Sequence, residues 1–299
     1  MIGSYAASDL CEQGVEVATF DSAQPSGILR DYADRMRTLV GDVGDRNQVR
    51  AAVEKSRARR IIHLAAVLGR ACDDDPVSAM KINVDGTLNV LEAARDCGVE
   101  RVVYASSGEV YGRGDRVRQE ELALGPQFSI YAASKILGER LGARYAARGN
   151  FRFIALRFGL TFGAATIASP GEAMMIQRIL ESLDGTAVAV AEVSGSSRRQ
   201  LTYARDAAAA AVLAALHPKP AFDLYNVSGP AENFMTLEAF QQIVRRQSAN
   251  AGKVTFTGPE KQLGPMDTKR IRDDLQFVPR FGIAEGLRAR AEDKRRWWS

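Results

Sequence analysis

Soft metal ligands are scarce in this chain: three cysteines and two histidines among 299 residues. Cys11, Cys72 and Cys97 form no C-x-x-C pair and have neither His63 nor His217 close by in sequence, so no metal site is expected. The same scarcity leaves no disulfide framework and suits reduced thiols in a cytoplasmic protein. An excess of one charge is also lacking. The 40 Lys+Arg and 36 Asp+Glu leave +4, too little to argue for a nucleic acid partner. Much of that excess sits in Arg57-Ala58-Arg59-Arg60 and Lys294-Arg295-Arg296, which read as solvated helix ends. No apolar run reaches the length of a membrane span. The longest, Ala207 to Leu216, is about half a span and reads as a buried helix. The opening residues, with Ser4, Tyr5, Ser8 and Asp9, do not read as a signal peptide. What is present, 46% hydrophobic and 25% charged residues, is the composition of an ordinary globular protein.

Apolar runs and helical stretches alternate through the first half. A helix is expected over Gly3 to Gln13, closed by Gly14. Strands follow at Val15 to Phe20, ending in Asp21, and, after a polar loop, at Thr38 to Val40, ending in Gly41-Asp42. A helix from Arg46 to Arg57 precedes the strand Arg60 to Ala66, and one long helix spans Pro76 to Cys97, stopped by Gly98. The strand Arg101 to Ala105 delivers Ser106-Ser107 at its carboxyl end. A helix from Tyr131 to Arg148 and a strand from Phe151 to Phe158 complete this part. Continuous apolar strands alternating with helices predict an α/β fold with a doubly wound parallel sheet of Rossmann type.

Beyond Phe158 the pattern is less regular. A loop at Gly159 to Gly171, a helix at Glu172 to Leu183 and a strand-like stretch at Gly185 to Val193 precede Gln200 to Tyr203. The alanine-rich helix, a returning strand at Phe222 to Val227 and a helix at Leu237 to Arg246 follow. The expected organisation is a dinucleotide-binding domain over 1–158, with returning segments at about 200–228. A smaller α/β substrate domain over 159–299 interleaves with it.

Ligands bind beyond the carboxyl ends of strands in such sheets, and Asp21, Asp42, Ala65-Ala66 and Ser106-Ser107 all fall there. Tyr131 and Lys135 lie four apart and share a helix face. A nearby ammonium favours phenolate, so Lys135 is expected to lower the Tyr131 pKa and make the phenol a usable general base. A serine hydroxyl then holds the substrate oxygen. The plainer alternative, a surface helix carrying an aromatic and a lysine, is common for this spacing. His63, alone on an apolar strand, reads as a buried, hydrogen-bonded core residue.

Taken together, these residues resemble the extended short-chain dehydrogenase/reductase family, the NAD-dependent epimerase/dehydratase group. The resemblance runs over nearly the whole chain through Gly41-Asp42, His63-Leu64-Ala65-Ala66, Asn83 with Gly86-Thr87, and Ser106-Ser107 to Val110-Tyr111-Gly112. It continues through Tyr131 to Lys135, Arg157, Arg199, Tyr203, Asp206 and Tyr225-Asn226-Val227. It implies that Tyr131 is the acid/base, Lys135 its partner and a ribose ligand, and Ser107 the catalytic hydroxyl. It implies NAD as cofactor, bound by Gly3, Asp21, Asp42, Val43, Leu64, Ala65, Ala66, Asn83 and Ser106 together with Tyr131 and Lys135. Asp21 would accept both ribose hydroxyls and repel a 2′-phosphate. The implied substrate is a sugar, nucleotide sugar or sugar-like hydroxy compound held by Ser107, Gly108, Glu109 and Arg199. For Arg199 the alternative is a solvated member of the Arg198-Arg199 pair. A homodimer is the oligomer considered, with no nucleic acid and no membrane partner.

Three departures qualify the resemblance. Only Met1-Ile2-Gly3 stands for the glycine-rich turn, with Gly3 as its last glycine, and the first strand is expected to be absent, through a start placed too far downstream or, as the less favoured alternative, because the chain is a remnant. The strands Val15 to Phe20 and Arg60 to Leu64 are then expected to flank an open slot, or a rearranged segment that fills it. Gly159 replaces an asparagine that contacts a diphosphate in many nucleotide-sugar enzymes, which weakens the case for a UDP- or dTDP-sugar. Gly108 stands where sugar 4,6-dehydratases carry an acid, which disfavours dehydration. Glu109 is either a secondary proton carrier or a loop carboxylate. The alternative to an active enzyme is a catalytically silent NAD-binding or scaffold protein.

Overall fold

A computed structural model describes residues 1–122, 129–149, 151–164, 172–182, 189–218, 220, 223–247, 252 and 254–297. In its first half, α1 (Ile2–Glu12) leads to β1 (Val17–Asp21) and β2 (Met36–Val40), and α2 (Arg46–Ser56) leads to β3 (Arg60–His63). Then come α3 (Ala71–Asp74), α4 (Pro76–Met80), α5 (Gly86–Asp96), β4 (Arg101–Ser107), α6 (Ile130–Ala146) and β5 (Arg152–Phe158). The second half supplies β6 (Leu160–Phe162), α7 (Glu172–Glu181), β7 (Ala189–Ala191), β8 (Arg198–Tyr203), α8 (Ala204–Leu216) and β9 (Leu224–Val227). It ends with β10 (Phe234–Thr236), α9 (Leu237–Arg246), β11 (Val254–Phe256), α10 (Lys269–Leu275) and α11 (Ile283–Trp297).

Local chemistry sets these boundaries. Asp45 caps α2, accepting from the amides of Asn47 at 2.9 Å and Gln48 at 3.1 Å. Asp75 caps α4 ahead of Pro76, and Ser129 caps α6 by accepting from Ala132 N at 3.1 Å. Gly14 and Gly98, at φ 72° and 70°, follow α1 and α5 where a left-handed turn ends each helix.

β3, β4, β5 and β9 form one parallel sheet in the order β3-β4-β5-β9, with helices on both faces, a doubly wound Rossmann-type arrangement. β4 is buried along nearly its whole length. One face is covered by α8, whose Ala207, Ala210, Ala211 and Ala214 are fully buried against Ile154, Leu156 and Val227. The other face is covered by α2, α5 and α6 through Val49, Val90, Leu91, Tyr104 and Phe153. β1 and β2 pair with each other, parallel, in a separate two-stranded sheet. The slot expected beside β3 is therefore present.

The second half builds a β10-β8-β6 sheet and a β11-β7 pair around Phe162, Ile179, Leu201, Phe240 and Val254. A buried carboxylate ties it to the first half. Tyr5 and Tyr203 both donate to Asp293, at 2.5 Å and 2.7 Å, and Arg205 pairs with it.

Three expectations change. The polar loop after Asp21 contains a 3₁₀ run at Gly27–Arg35, whose Ile28 is buried against α1. The strand from Arg60 ends at His63, leaving Leu64 to Ala66 as a turn. The single helix expected over Pro76 to Cys97 is two α segments joined by a π turn at Lys81–Asp85. The calls on residues 165–171, 185–188 and Phe222 lie outside the described residues.

α6 sits close to the sheet because Gly138 and Gly142 face it. A Cβ on Gly138 would lie 2.1 Å from the Tyr104 hydroxyl, and one on Gly142 2.1 Å from the Phe153 ring. Helix propensity alone favours alanine over glycine by about 1 kcal/mol. Overpacking costs about 1–3 kcal/mol. Gly142→Ala is therefore expected to lower stability by up to about 2 kcal/mol in urea unfolding, and raised stability would show that α6 has room to move.

Candidate functional site

The carboxyl ends of β1, β3 and β4 open into one cavity of about 1570 Å³. β4 brings Ser107 to its rim and α6 lays Tyr131 and Lys135 along its wall. From the other side come Asp21 at the end of β1, Gly3 in the first turn of α1, and Leu64, Ala65 and Ala66 after β3. The resemblance-based set is thus largely brought together.

Tyr131 and Lys135 are both buried. The Ser107 hydroxyl lies beside the Tyr131 phenol and accepts from the Glu109 amide at 3.1 Å. That acceptance leaves the Ser107 proton for an oxygen in the cavity. Lys135 Nζ donates to the Ala105 carbonyl at 2.8 Å and stands 5.6 Å from the Tyr131 ring centre. The expected depression of the Tyr131 pKa is not what this geometry produces. Burial pushes the phenol up, the Glu109 carboxylate adds to that, and the neighbouring Ser107 hydroxyl opposes it. Burial also pulls Lys135 down to about 8. Desolvation outweighs the neighbouring cation, because both groups have left water.

Three residues take different posts from those expected. Asn83 stands behind the cavity wall. Its side chain accepts from Val67 N at 2.8 Å, donates to Val67 O at 3.0 Å and reaches Ser134 Oγ at 3.1 Å, so it fixes the turn after β3 against α6. Ser106 borders the cavity, but its hydroxyl donates to Glu139 at 2.5 Å. Asp42 accepts from Gly44 N at 2.8 Å and lies 3.7 Å from Lys81, while Val43 lines the cavity. Arg199 is buried at the cavity wall, donating to the carbonyls of Arg198 at 2.8 Å and Lys261 at 2.7 Å. The solvated reading of Arg199 is excluded; Arg198 is the exposed member, stacked 4.6 Å over Phe234.

Sequence reasoning missed Glu139. It follows Tyr131 and Lys135 at the next i+4 position, a continuation of the same helical stripe. It receives two hydrogen bonds from Arg157, both 2.8 Å, in a buried fork. Cations also gather in the cavity away from β1, where Arg113, Arg118, Arg178, Arg199 and Lys261 line it with Glu109 and Glu192.

The model of the NAD dependent epimerase/dehydratase family matches residues 1–228, and the chain belongs to that family. A UDP-glucose 4-epimerase of Erwinia amylovora is 31% identical over 182 residues, covering 57% of this chain and 53% of that relative. The chain thus matches about half the length of that protein. A UDP-N-acetyl-alpha-D-glucosaminuronate decarboxylase of Bacillus cytotoxicus is 25% identical over an alignment of 305 residues, 96% of this chain and 92% of the relative. The UDP-glucose 4-epimerase of Thermus thermophilus, solved in complex with NAD, has a TM-score of 0.85 and 26% identity, with 99% of this chain and 96% of that one covered.

The residues present fit the family's cofactor. A carboxylate at the end of β1, an uncapped first turn of α1 and the polar side chains of Tyr131 and Lys135 border the same cavity.

His63 has the core role expected of it, its Nε2 3.1 Å from Thr87 Oγ1. Burial and the Lys135 charge hold its pKa at about 3, against 6.5 in water. The unfolded chain therefore takes up this proton first as pH falls, and stability present above about 6.5 is lost toward 3. His63→Gln removes that proton. Between pH 7.5 and 4.5 the native protein is expected to lose about 2–3 kcal/mol more than the variant, measured by denaturant unfolding at both pH values. Parallel losses would show that His63 does not carry the acid sensitivity.

Proposed function

We propose that this chain oxidises or epimerises a secondary hydroxyl of an anionic sugar derivative, with nucleotide sugars as the first candidates. The observation that carries the reading is the buried Tyr131 phenol beside Ser107, with Lys135 one turn along, in a cavity that Asp21 also lines. The relatives named for UDP-sugars support it. So do the cations on the substrate side, because a guanidinium fork suits phosphate and carboxylate alike. Gly159 offers a diphosphate only its backbone, so Arg199 and Lys261 would carry more of that contact.

NAD, when bound, accepts the hydride or returns it. Asp21 would hold the adenosine ribose, the first turn of α1 with Gly3 and the Leu64 to Ala66 turn would run beside the pyrophosphate, and Tyr131 and Lys135 would face the nicotinamide ribose. Ser107 presents its hydroxyl to the substrate oxygen. The substrate proton passes to the Tyr131 oxygen when that oxygen is phenolate, and the Lys135 ammonium supplies the compensating charge. In the reverse direction the neutral phenol, which burial favours, returns the proton to the ketone oxygen.

Dehydration lacks its acid. A Cβ on Gly108 would lie 3.2 Å from Met266 Sδ and 3.3 Å from an Arg118 nitrogen, so the position has little room for a longer side chain. Glu109 borders the cavity with Ser129 Oγ 3.4 Å from its carboxylate, and it is the group open to a secondary proton transfer.

Tyr131→Phe keeps the ring and removes the proton carrier. Turnover of UDP-sugars, followed by NADH absorbance and product analysis, is expected to fall about 10²–10⁴-fold, with NAD affinity nearly unchanged. Retention of more than about a tenth of native turnover would sink the assignment.

Lys135→Met separates chemistry from stability. The folded pKa of about 8 lies below 10.5, so burying this cation destabilises the protein below pH 8, and the penalty is relieved as pH rises toward 10.5. At pH 7 the methionine variant is expected to melt at or above the native temperature, with up to about 3 kcal/mol available, while turnover collapses. A lower melting temperature at pH 7 would show that the Lys135 bond to Ala105 outweighs the charge.

A further inference from the structure

Gly3 and Ser4 border the cavity, but Tyr5, the next residue of α1, is buried away from it against Ile28, Ala204, Ala208 and Val212. Its phenol donates to Asp293 Oδ2 at 2.5 Å, and the Tyr203 phenol donates to the same oxygen at 2.7 Å. Arg205 donates to both oxygens of that carboxylate, with its Nε 3.2 Å from Oδ2. Asp293 is 1% exposed, in the second half of α11. The first half of that helix is fixed in the other core through Ile283 and Leu287. One turn beyond Asp293 and on the same face, Trp297 donates its Nε1 to Asp31 at 2.7 Å, within the 3₁₀ run that follows Asp21. α11 therefore grips both segments that flank the Asp21 end of the cavity, while none of its described residues lines the cavity itself.

Stability alone does not call for an anion at this point. A buried carboxylate and its partners can often be replaced by apolar side chains of similar volume without loss of stability. What the carboxylate adds is direction. Apolar packing between α1 and α8 lets a helix roll or slide slightly, whereas charge-assisted hydrogen bonds hold one geometry. That geometry matters two residues earlier. A Cβ on Gly3 would lie 3.4 Å from Leu64, so the first turn of α1 stands close to the turn after β3, and a small movement of α1 changes the gap between them.

We propose that Asp293 is a positioning residue for the cofactor. Through Tyr5 it sets the rotation and depth of α1, and so the spacing between Gly3 and the Leu64 to Ala66 turn. The proposal rests on the reading in which those two segments run beside the pyrophosphate. Tyr203 is the internal comparison: it donates to the same oxygen and is equally buried, but it stands at the end of β8 and not on α1.

The test sets Tyr5→Phe beside Tyr203→Phe in the 299-residue chain. Each removes one hydroxyl from Asp293 and keeps the ring, so both are expected to melt about 2–6 °C below the native chain. NAD titration by calorimetry is expected to separate them. The Kd rises about three- to tenfold in Tyr5→Phe and stays within about twofold of native in Tyr203→Phe. Without NAD, hydrogen exchange in Ile2–Glu12 is expected to quicken more in Tyr5→Phe than in Tyr203→Phe. Asp293→Asn keeps the shape and removes the charge, and is expected to follow Tyr5→Phe in Kd; should it fail to fold, the two tyrosine variants decide. Equal Kd in the native chain and Tyr5→Phe would overturn the positioning role and leave the cofactor placement standing. Equal weakening in both tyrosine variants would reduce Asp293 to a structural tie and overturn it too. A native chain that takes up no NAD, or that binds it without slowing exchange in the first turn of α1, would overturn the placement and the proposal with it.

Discussion

The Arg157–Glu139 fork is the interaction on which the site rests. It joins β5 to α6 with both side chains nearly out of water, so neither ion has solvent to fall back on. Removing one partner of such a pair commonly costs about 3–5 kcal/mol, because the other charge is left buried and uncompensated. The fork is also directional: its two parallel bonds fix where α6 sits along the sheet, and α6 carries Lys135 and Tyr131 one and two turns earlier. Ser106 adds a third bond to the same carboxylate, which fixes the end of β4 just before Ser107. Tyr131 and the Ser107 hydroxyl are thus referenced to one buried anion.

That anion belongs to a wider polar web. Arg157 lies 4.8 Å from the Tyr111 ring centre, Tyr111 donates to Asn226 at 2.7 Å, and Asn226 donates its amide to Glu120 at 2.8 Å. Asn226 also donates to the carbonyls of Arg118 at 2.8 Å and Asp267 at 3.1 Å. This polar web therefore joins β5, β9, the segment after β4 and the segment before α10. A fully satisfied buried network of this kind specifies one arrangement and tolerates few others.

Much of this was legible from the order of residues. Apolar runs marked the strands, and Gly14 and Gly98 marked helix ends, because both signals are local. The four-residue step from Tyr131 to Lys135 placed two side chains on one face before any fold was known. What escaped was long-range or collective. The Tyr5 bond to Asp293 spans almost the whole chain, and nothing near either residue announces it. Asn83 read as a cofactor contact because its neighbours matched a motif, yet its amide is committed to Val67 and Ser134. The protonation of Tyr131 was misjudged because spacing shows the cation and hides the depth of burial, and here burial dominates.

The π turn between α4 and α5 has a consequence for how this region can vary. Its wider loop shifts the angular phase of the residues before it relative to those after it. Upstream of that shift Ala79 packs with Cys72 and Tyr131, and within the turn itself Asn83 grips the loop after β3; downstream the face is set by the packing of Val90, Leu91 and Ala94 against the sheet. The two halves therefore answer to different neighbours and need not share one stripe of residues. Deleting a single residue there would restore an unbroken helix and rotate Asn83 away from its loop by about 100°. The irregularity works as a phase coupler, letting the turn after β3 be adjusted through one half while the sheet contact of the other stays in register.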